Sequence, residues 1–248
     1  MKDILFDQHF LIDQDVIKKA VKAAEIKSTD NVLEIGGGTG NITAQIPKCD
    51  LTVVELDETL AEELKKRFKH ANIIQGNILE LGDRLEHDVI ISALPYSLCE
   101  PIFRTLFLSK FRTAVLVLPE KFISGIKEDD TPLSYIARAF LDIEIIELVP
   151  PQAFSPEPKV SSVIARITKK SPSSDEKIIQ DIYWMNHKKL KNAIRDYLLR
   201  NTDLTKKIIA EKLEKSGMHE NTLEKNVKLL RRNEFEKVIE FIKNEKTA

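Results

Sequence analysis

Cysteine, glycine and long apolar runs are scarce in this chain of 248 residues. The two cysteines, Cys49 and Cys99, exclude a disulfide framework, and no spacing of cysteine and histidine matches a zinc site, so we expect no metal. No apolar run approaches the roughly 18 residues that cross a bilayer, and residues 1–7 lack a cleavable signal pattern, so we expect no membrane partner. These absences favour a cytoplasmic protein.

The chain also lacks an excess of one charge, since its formal net charge is −1. That value hides an asymmetry between two parts of the sequence. Residues 1–170 hold 21 Lys and Arg against 26 Asp and Glu, a net charge of −5, whereas residues 171–248 hold 17 against 13, a net charge of +4. The basic C-terminal part predicts an anionic partner, and an ordinary solvated helical surface remains the alternative.

Four of the eight glycines fall within residues 36–40, directly after a predicted strand at 31–35. A dinucleotide fingerprint would need glycine where Asn41 stands, and no G-K-[ST] ending of a phosphate loop is present. Glu55 ends the next predicted strand, where a carboxylate accepts hydrogen bonds from ribose hydroxyls. The pattern predicts a nucleoside-bearing ligand and resembles the S-adenosylmethionine site of class I methyltransferases more than a nicotinamide site. A tight turn without a ligand is the alternative.

Strands and helices alternate in the first part of the chain, which predicts an α/β fold with a parallel sheet covered by helices on both faces. The last two predicted strands lack a helix between them and predict a hairpin at one edge. A linker near residues 170–174 separates a domain of residues 1–170 from a helical domain of residues 171–248. The predicted strands are 31–35, 51–55, 71–75, 88–92, 113–118, 143–149 and 162–167. The predicted helices are one capped by Asp13, then 39–47, 58–69, 98–109, 175–199, 203–216 and 221–243.

Four motifs, in order and at matching spacing, resemble those of one family between about residue 7 and about residue 235. Gln8-His9-Phe10-Leu11 is similar to its Q-[NH]-F-L, and Ala93-Leu94-Pro95-Tyr96 to its N-L-P-Y. Residues 154–162 are similar to its F-x-P-x-P-K-V-x-S, and residues 186–192 to a softened Q-R-R-K-x-x-x-N. The family is that of the adenine dimethyltransferases of small-subunit ribosomal RNA.

The resemblance implies a Rossmann-like class I methyltransferase sheet with a small, all-helical C-terminal domain for RNA docking. It implies S-adenosyl-L-methionine as cofactor and dimethylation of adenine amines during ribosome biogenesis, by a monomer acting on small-subunit rRNA in the immature small ribosomal subunit. The implied catalytic residues are Ala93, Leu94, Pro95, Tyr96 and Phe154. The implied cofactor-binding residues are Gln8, His9, Leu11, Gly36, Gly38, Gly40, Glu55, Leu56, Asn77, Ile78 and Ala93. The candidate RNA-binding residues are Lys188, Lys189, Lys191, Arg195, Arg231 and Arg232.

Ala93 departs from the family pattern, because the family has Asn at this position. By the resemblance, that Asn and the following carbonyl accept hydrogen bonds from the adenine amine, which localises the nitrogen lone pair for attack, while Tyr96 and Phe154 stack on a flipped-out base. Loss of one such contact costs about 3 kcal/mol.

Three interpretations of Ala93 remain. A neighbour such as Ser92, or water, replaces the acceptor; the enzyme is slow or stops at one methyl group; or the protein is a catalytically silent assembly or RNA-binding factor.

Asn77, in place of a family Asp, weakens one contact to the cofactor adenine. A nicotinamide-dependent oxidoreductase is a further alternative, based only on the glycine loop and Glu55.

Overall fold

The structure is a computed structural model that describes residues 8–82, 85–128 and 131–246. These residues form two compact units. The first unit contains the described residues up to Gly125 together with Leu141–Lys169, and the second contains those of Ile126–Phe140 and those from Lys170 onward. The second unit thus takes a segment from the middle of the chain, which the sequence pattern had not indicated. The assignment of residues 1–170 to cofactor binding and of 171–248 to RNA docking stays a prediction.

The strands of the described residues all lie in the first unit. They are β1 (Phe10–Leu11), β2 (Asn31–Ile35), β3 (Asp50–Glu55), β4 (Asn72–Gln75), β5 (Val89–Ala93), β6 (Thr113–Pro119), β7 (Leu141–Val149), β8 (Phe154–Ser155) and β9 (Ser162–Lys169). Seven of them form one sheet in the order β4-β3-β2-β5-β6-β9-β7. The strands from β4 to β6 pair in parallel, whereas β9 pairs antiparallel with both β6 and β7. The predicted hairpin at one edge of an otherwise parallel sheet is therefore confirmed.

The helices alternate with the strands in the first half of the chain and dominate its last third. They are α1 (Gln14–Ala23), α2 (Glu58–Arg67), α3 (Cys99–Leu108), α4 (Glu120–Glu128), α5 (Pro132–Phe140), α6 (Ser174–Tyr183), α7 (Leu190–Asn201), α8 (Lys206–Glu214), α9 (Glu220–Leu223) and α10 (Arg232–Lys246). Asp13 caps α1 as predicted, because its side chain accepts hydrogen bonds from the backbone of Asp15 and Val16. No helix in these ranges is long and apolar enough to cross a membrane.

The central strands of the first unit have nearly continuous apolar sequences because they lie in its core. Four of the five residues of β2 and six of the seven of β6 are buried, as expected of inner strands that are covered on both faces. β7, at the edge, is buried only at its two ends and exposes the acidic side chains of Asp142 and Glu144. Edge strands commonly carry such charges, which discourage pairing with another chain.

Three predicted helices were wrong in extent. Residues 39–47 form only a short 3-10 turn at Thr43–Gln45, because Gly40 has a left-handed backbone with φ of 78°. The helix predicted at 175–199 is two helices, α6 and α7. The helix predicted at 221–243 is the short α9, a 3-10 turn at Val227–Leu229 and then α10.

β1 and β8 form a separate two-stranded ladder that the sequence did not predict. Phe10 pairs with Ser155 and Leu11 with Phe154, in antiparallel register. The ladder continues into the Ala153 carbonyl, which accepts from the backbone N–H of Ile12 at 2.8 Å. The ladder therefore joins the Q-H-F-L motif to the proline-rich loop before β9.

Candidate active site

The carboxyl ends of β2 to β5 surround a cleft of about 240 Å³, which we call the strand-end cleft. The order of the strands reverses between β2 and β5, and open α/β sheets bind ligands at such a switch point. Its lining residues come from several segments that are distant in sequence. They are Gln8, His9, Phe10, Ile35, Gly36, Gly38, Val54, Glu55, Leu56, Gly76, Asn77, Ile78, Leu79, Ala93, Leu94, Pro95, Tyr96, Ser97, Leu98 and Phe154.

The glycine loop and Glu55 form one wall of the strand-end cleft. The Glu55 carboxylate accepts the backbone N–H of Gly38 at 2.7 Å and that of Asp57 at 2.9 Å, which fixes its position at the end of β3. Each carboxylate oxygen has two lone pairs, so one on each remains for a ligand hydroxyl. A Cβ added at Gly36 or at Gly76 would meet no atom within 4 Å. The open space and the anchored acid fit the ribose and adenine of S-adenosylmethionine.

Asn77 lies at the end of β4, in the wall that follows Glu55. Its side-chain oxygen accepts the backbone N–H of Leu79 at 3.1 Å, and its amide donates to the Glu80 carboxylate at 3.2 Å. The side chain therefore caps the short 3-10 turn Ile78–Glu80 and lines the cleft as well. One lone pair on its oxygen remains available to an adenine edge.

The Ala93–Tyr96 segment and Phe154 form the opposite end of the strand-end cleft. Leu94 is buried, and its N–H donates to the carbonyl of Val117 on β6 at 3.0 Å. The Tyr96 hydroxyl lies 3.1 Å from the Ser162 hydroxyl, and Phe154 is only 5% exposed. Two aromatic side chains that are 58 positions apart in the sequence thus line the same cleft.

A small cavity of about 40 Å³, the side cavity, lies under the glycine loop. His9, Glu34 and Ala93 are among its lining residues. Glu34 is 1% exposed, and its Oε2 accepts from the Thr43 hydroxyl at 2.7 Å, whereas its Oε1 has no hydrogen-bond partner among the described residues. Burial raises the pKa of Glu34 to about 8, so that its carboxyl group is mostly protonated at neutral pH.

The structure brings all five candidate catalytic residues and nine of the eleven candidate cofactor-binding residues to the strand-end cleft. Leu11 and Gly40 do not line it. Leu11 is buried, lines the side cavity, and its carbonyl accepts from the Asn41 side-chain amide at 2.8 Å. Gly40 instead packs against Phe68, since an added Cβ would lie 2.6 Å from that ring.

Sequence reasoning missed several apolar residues of the cleft wall. Ile35 and Val54 are the last apolar positions of β2 and β3, and that position at a strand end is a signal that identifies them. Phe10 lies inside the Q-H-F-L motif, and Leu79 directly follows a predicted contact. Ser92, considered as a substitute acceptor, is fully buried, and its hydroxyl donates to the Ile35 carbonyl at 2.5 Å. It does not line the cleft.

The candidate RNA-binding cations lie in the second unit, and five of the six pair with acids. Lys188 and Arg195 both contact Asp196, at 2.7 and 3.1 Å. Lys189 and Lys191 both bind Glu224, whose pKa these two hydrogen bonds lower to about 2. Of the remaining two, Arg232 begins α10 and Arg231 directly precedes it. Arg232 pairs with Glu236 at 2.8 Å and Arg231 is exposed.

The second unit also contains a larger cleft, of about 960 Å³. Its charged side chains largely pair with one another, as in Lys170 with Glu176 at 2.5 Å and Lys243 with Asp175 at 3.0 Å. It contains neither strand ends nor a glycine loop. The candidate catalytic residues and most of the candidate cofactor-binding residues therefore lie at the strand-end cleft and not at this larger one.

Comparisons with known proteins identify the family of this chain. The sequence profile of the family described as ribosomal RNA adenine dimethylase matches residues 2–244. Relatives named probable ribosomal RNA small subunit methyltransferase A include one from Methanococcoides burtonii, 36% identical over 83% of this chain and 82% of its own. Another, from Methanosarcina mazei, is 38% identical over 76% of each chain.

Two solved structures resemble this one over almost their whole length. A dimethyladenosine transferase from Plasmodium falciparum has a TM-score of 0.65 at 23% identity and covers 96% of this chain and 98% of its own. The 23S rRNA methyltransferase ErmE has a TM-score of 0.61 at 20% identity, over 94% and 99%. At these identities the likeness shows the fold, which confirms the predicted class I methyltransferase sheet with a helical C-terminal part. By its sequence relatives, the chain belongs to the ribosomal RNA adenine dimethylase family and is an S-adenosylmethionine-dependent rRNA adenine methyltransferase.

Proposed function

We propose that the protein dimethylates the exocyclic amines of adenines in small-subunit rRNA during ribosome biogenesis. One observation carries the proposal: the glycine loop and Glu55 share a single cleft with Tyr96 and Phe154. A nucleoside cofactor at the glycine loop and a flipped-out base at the two aromatic rings would therefore bind next to each other in this cleft. We further propose that the substrate is the immature small ribosomal subunit and that the protein acts on it in the cytoplasm as a monomer.

The proposed roles follow from the position of each residue in the cleft. S-adenosylmethionine supplies an electrophilic methyl group on a sulfonium. Glu55 accepts from the ribose hydroxyls, while Leu56, Asn77 and Ile78 border the adenine. Gln8 and His9 border the methionine end, Leu11 supports that wall from the side cavity, and Gly40 provides a left-handed turn of the glycine loop.

The target adenine occupies the end of the cleft formed by Tyr96 and Phe154. Stacking on their rings compensates part of the cost of removing the base from its RNA stack. The Leu94 carbonyl accepts one hydrogen of the amine, which turns the nitrogen lone pair toward the methyl group. Pro95 keeps the segment extended, and Ala93 leaves the second hydrogen without a side-chain acceptor from this position.

The second unit is proposed to dock RNA through Lys188, Lys189, Lys191, Arg195, Arg231 and Arg232. Such cations contact phosphates and so position the RNA without reading its sequence. Exposed ion pairs are weak, about 0–1 kcal/mol, so phosphates can displace the acids that now hold most of these side chains.

The direct test is methyl transfer to undermethylated small ribosomal subunits, with methyl-labelled S-adenosylmethionine and analysis of the digested nucleosides. We expect the label in N6,N6-dimethyladenosine, and none with fully methylated subunits as the matched control. Absence of label, while cofactor and subunit both bind, would contradict the proposal.

Ala93 favours a second candidate, a binding factor of the same fold with impaired chemistry. In that case Ala93→Asn raises the rate of methyl transfer by about 100- to 1,000-fold, the usual value of one well-placed polar contact in a transition state. A natural protein that already turns over within about tenfold of the Ala93→Asn variant excludes this candidate.

A further inference from the structure

His9 has a fixed hydrogen-bonding state in the strand-end cleft. Its Nδ1 lies 2.7 Å from the carbonyl oxygen of Pro156, in the proline-rich loop. A carbonyl can only accept, so the hydrogen of the neutral ring resides on Nδ1. The other nitrogen, Nε2, therefore presents a lone pair and acts as an acceptor or base.

His9 also lies beside the residues assigned to the target base. Its ring centroid is 5.8 Å from that of Tyr96, with the two planes inclined by 38°. His9 and Ala93 both line the strand-end cleft and both line the side cavity. An acceptor thus adjoins the position where the family Asn is missing.

Three other polar groups nearby are held in place by hydrogen bonds, whereas the Gln8 amide, which also lines the cleft, cannot take a proton as an imidazole can. The Ser92 hydroxyl donates to the Ile35 carbonyl. Glu34 is buried and lines the side cavity under the glycine loop; its Oε2 accepts from Thr43, and its Oε1 has no partner among the described residues. The Glu55 carboxylate is held by backbone N–H groups at the ribose end of the cleft.

The titratable groups that share these walls with His9 are Glu34, Glu55 and Tyr96, and exposed Glu157 follows the Pro156 carbonyl to which His9 is bonded. The imidazole combines a free acceptor with a position next to both Ala93 and Tyr96.

We propose that His9 is a catalytic residue that replaces the missing Asn: its Nε2 accepts a hydrogen of the adenine amine and then takes that proton. This inference rests on the proposed function. In the step, the C–N bond forms as the C–S bond breaks, and the electron pair of the C–S bond stays on sulfur. The methylated amine, now cationic, loses its proton to Nε2, and the imidazolium releases it to water.

The test compares His9→Asn with the natural protein in the subunit assay. Asn is the alternative residue of the Q-[NH]-F-L motif, so we expect the KM for S-adenosylmethionine to change little. Asn cannot take a proton, so kcat falls about 100-fold, a typical contribution of general-base catalysis. The fall in kcat/KM toward acidic pH, expected of the natural protein, disappears. His70→Gln, which changes an exposed histidine of the same unit, keeps the natural kcat and pH profile.

Combination with Ala93→Asn makes the test specific. Restoring the amide acceptor should make His9→Asn nearly neutral, so the two substitutions are strongly non-additive. A His9→Asn variant that raises only the KM for S-adenosylmethionine, with kcat and pH profile unchanged, overturns the His9 proposal alone. The His9 proposal alone is also overturned if the Ala93→Asn variant transfers methyl groups and the natural protein transfers none. Absence of transfer by both proteins, with the cofactor bound, overturns the proposed function as well.

Discussion

At the scale of single residues, Glu34 is a buried carboxyl group beside the strand-end cleft whose ionisation makes the stability of the fold depend on pH. Its carboxyl group lies in β2, buried beneath the glycine loop, and Thr43 satisfies only one of its oxygens. Loss of water raises its pKa from 4.5 to about 8, and the nearby charge of Glu55 adds to the effect, against the hydrogen bonds from Thr43. The group is neutral where ordinary glutamates are charged.

We therefore expect the free energy of unfolding to fall between about pH 4.5 and pH 8 on account of Glu34. Over this range the unfolded chain has released the proton that the folded chain still holds, so rising pH favours unfolding, and the loss is complete above pH 8. Urea denaturation across this range measures the effect. Glu34→Gln should flatten the profile, whereas Glu63→Gln, at an exposed site of α2, should not. Parallel profiles for Glu34→Gln and the natural protein would contradict this account.

Substitutions at Gly36 and Gly40, in the same loop, distinguish the cost of backbone strain from the cost of steric crowding. Both have left-handed backbones, with φ of 78° and 73°, but only Gly40 faces Phe68. Gly36→Ala should cost about 1–2 kcal/mol of stability through strain alone. Gly40→Ala should cost about 1–3 kcal/mol more, because its Cβ would lie 2.6 Å from the ring. Equal shifts in thermal denaturation without ligand would show that Phe68 moves aside freely.

At the scale of elements, apolar periodicity located the sheet but not every helix boundary. The central strands were predictable because each is a short apolar run that ends at a turn. The helix predicted at 175–199 failed for a tertiary reason. The backbone at Lys188 and Leu190 bonds to that of Val227 and Lys225, which interrupts the helix without glycine or proline. Hydrogen bonds between residues 35 and 39 positions apart leave no local signal in the sequence.

The start of α6 is fixed by a capping box. The Ser173 hydroxyl accepts from the Glu176 N–H, and the Glu176 carboxylate accepts from the Ser173 N–H at 2.8 Å. Ser173→Ala should lower stability by about 1 kcal/mol, because one N–H at the helix start loses its partner. Ser171→Ala, at an exposed site outside α6, serves as control and should be neutral. Equal denaturation midpoints for the two variants would argue against the cap.

At the scale of the whole molecule, the sequence predicted the residues of the strand-end cleft well, but it did not predict which acids pair with the candidate RNA-binding cations. The cleft residues follow strand ends, whose position is set by a sheet topology that the alternation of strands and helices specifies. Asp196 is close in sequence to Lys188 and Arg195, but Glu224 lies 35 positions from Lys189 and becomes its neighbour only through the packing of the second unit. The same holds for the described residues of 126–140, which belong to the second unit although they are distant in sequence from most of it.

Glu224 pairs with Lys189 and Lys191, two of the lysines that we propose contact RNA. Glu224→Gln should release Lys189 and Lys191, so that RNA binds more tightly at low salt and the logarithmic salt dependence steepens by about one for each additional phosphate that these lysines neutralise. Glu220→Gln removes the same charge from an exposed site of α9 and should have a smaller effect. Salt titrations of RNA binding distinguish the two. Identical slopes would mean that these lysines do not bind phosphate.

The ladder between β1 and β8 has a consequence for the timing of synthesis. It joins residues 10–11 to residues 154–155, and His9 is bonded to a carbonyl 147 positions further along the chain. Contacts of such long sequence separation cannot form until both segments have been synthesised. On the translating ribosome the glycine loop and β2 emerge long before the strand that closes the cleft beside them. A nascent chain shorter than about 160 residues therefore has the glycine loop but lacks β8 or β9, and the strand-end cleft is complete only when more than half of the protein has been made.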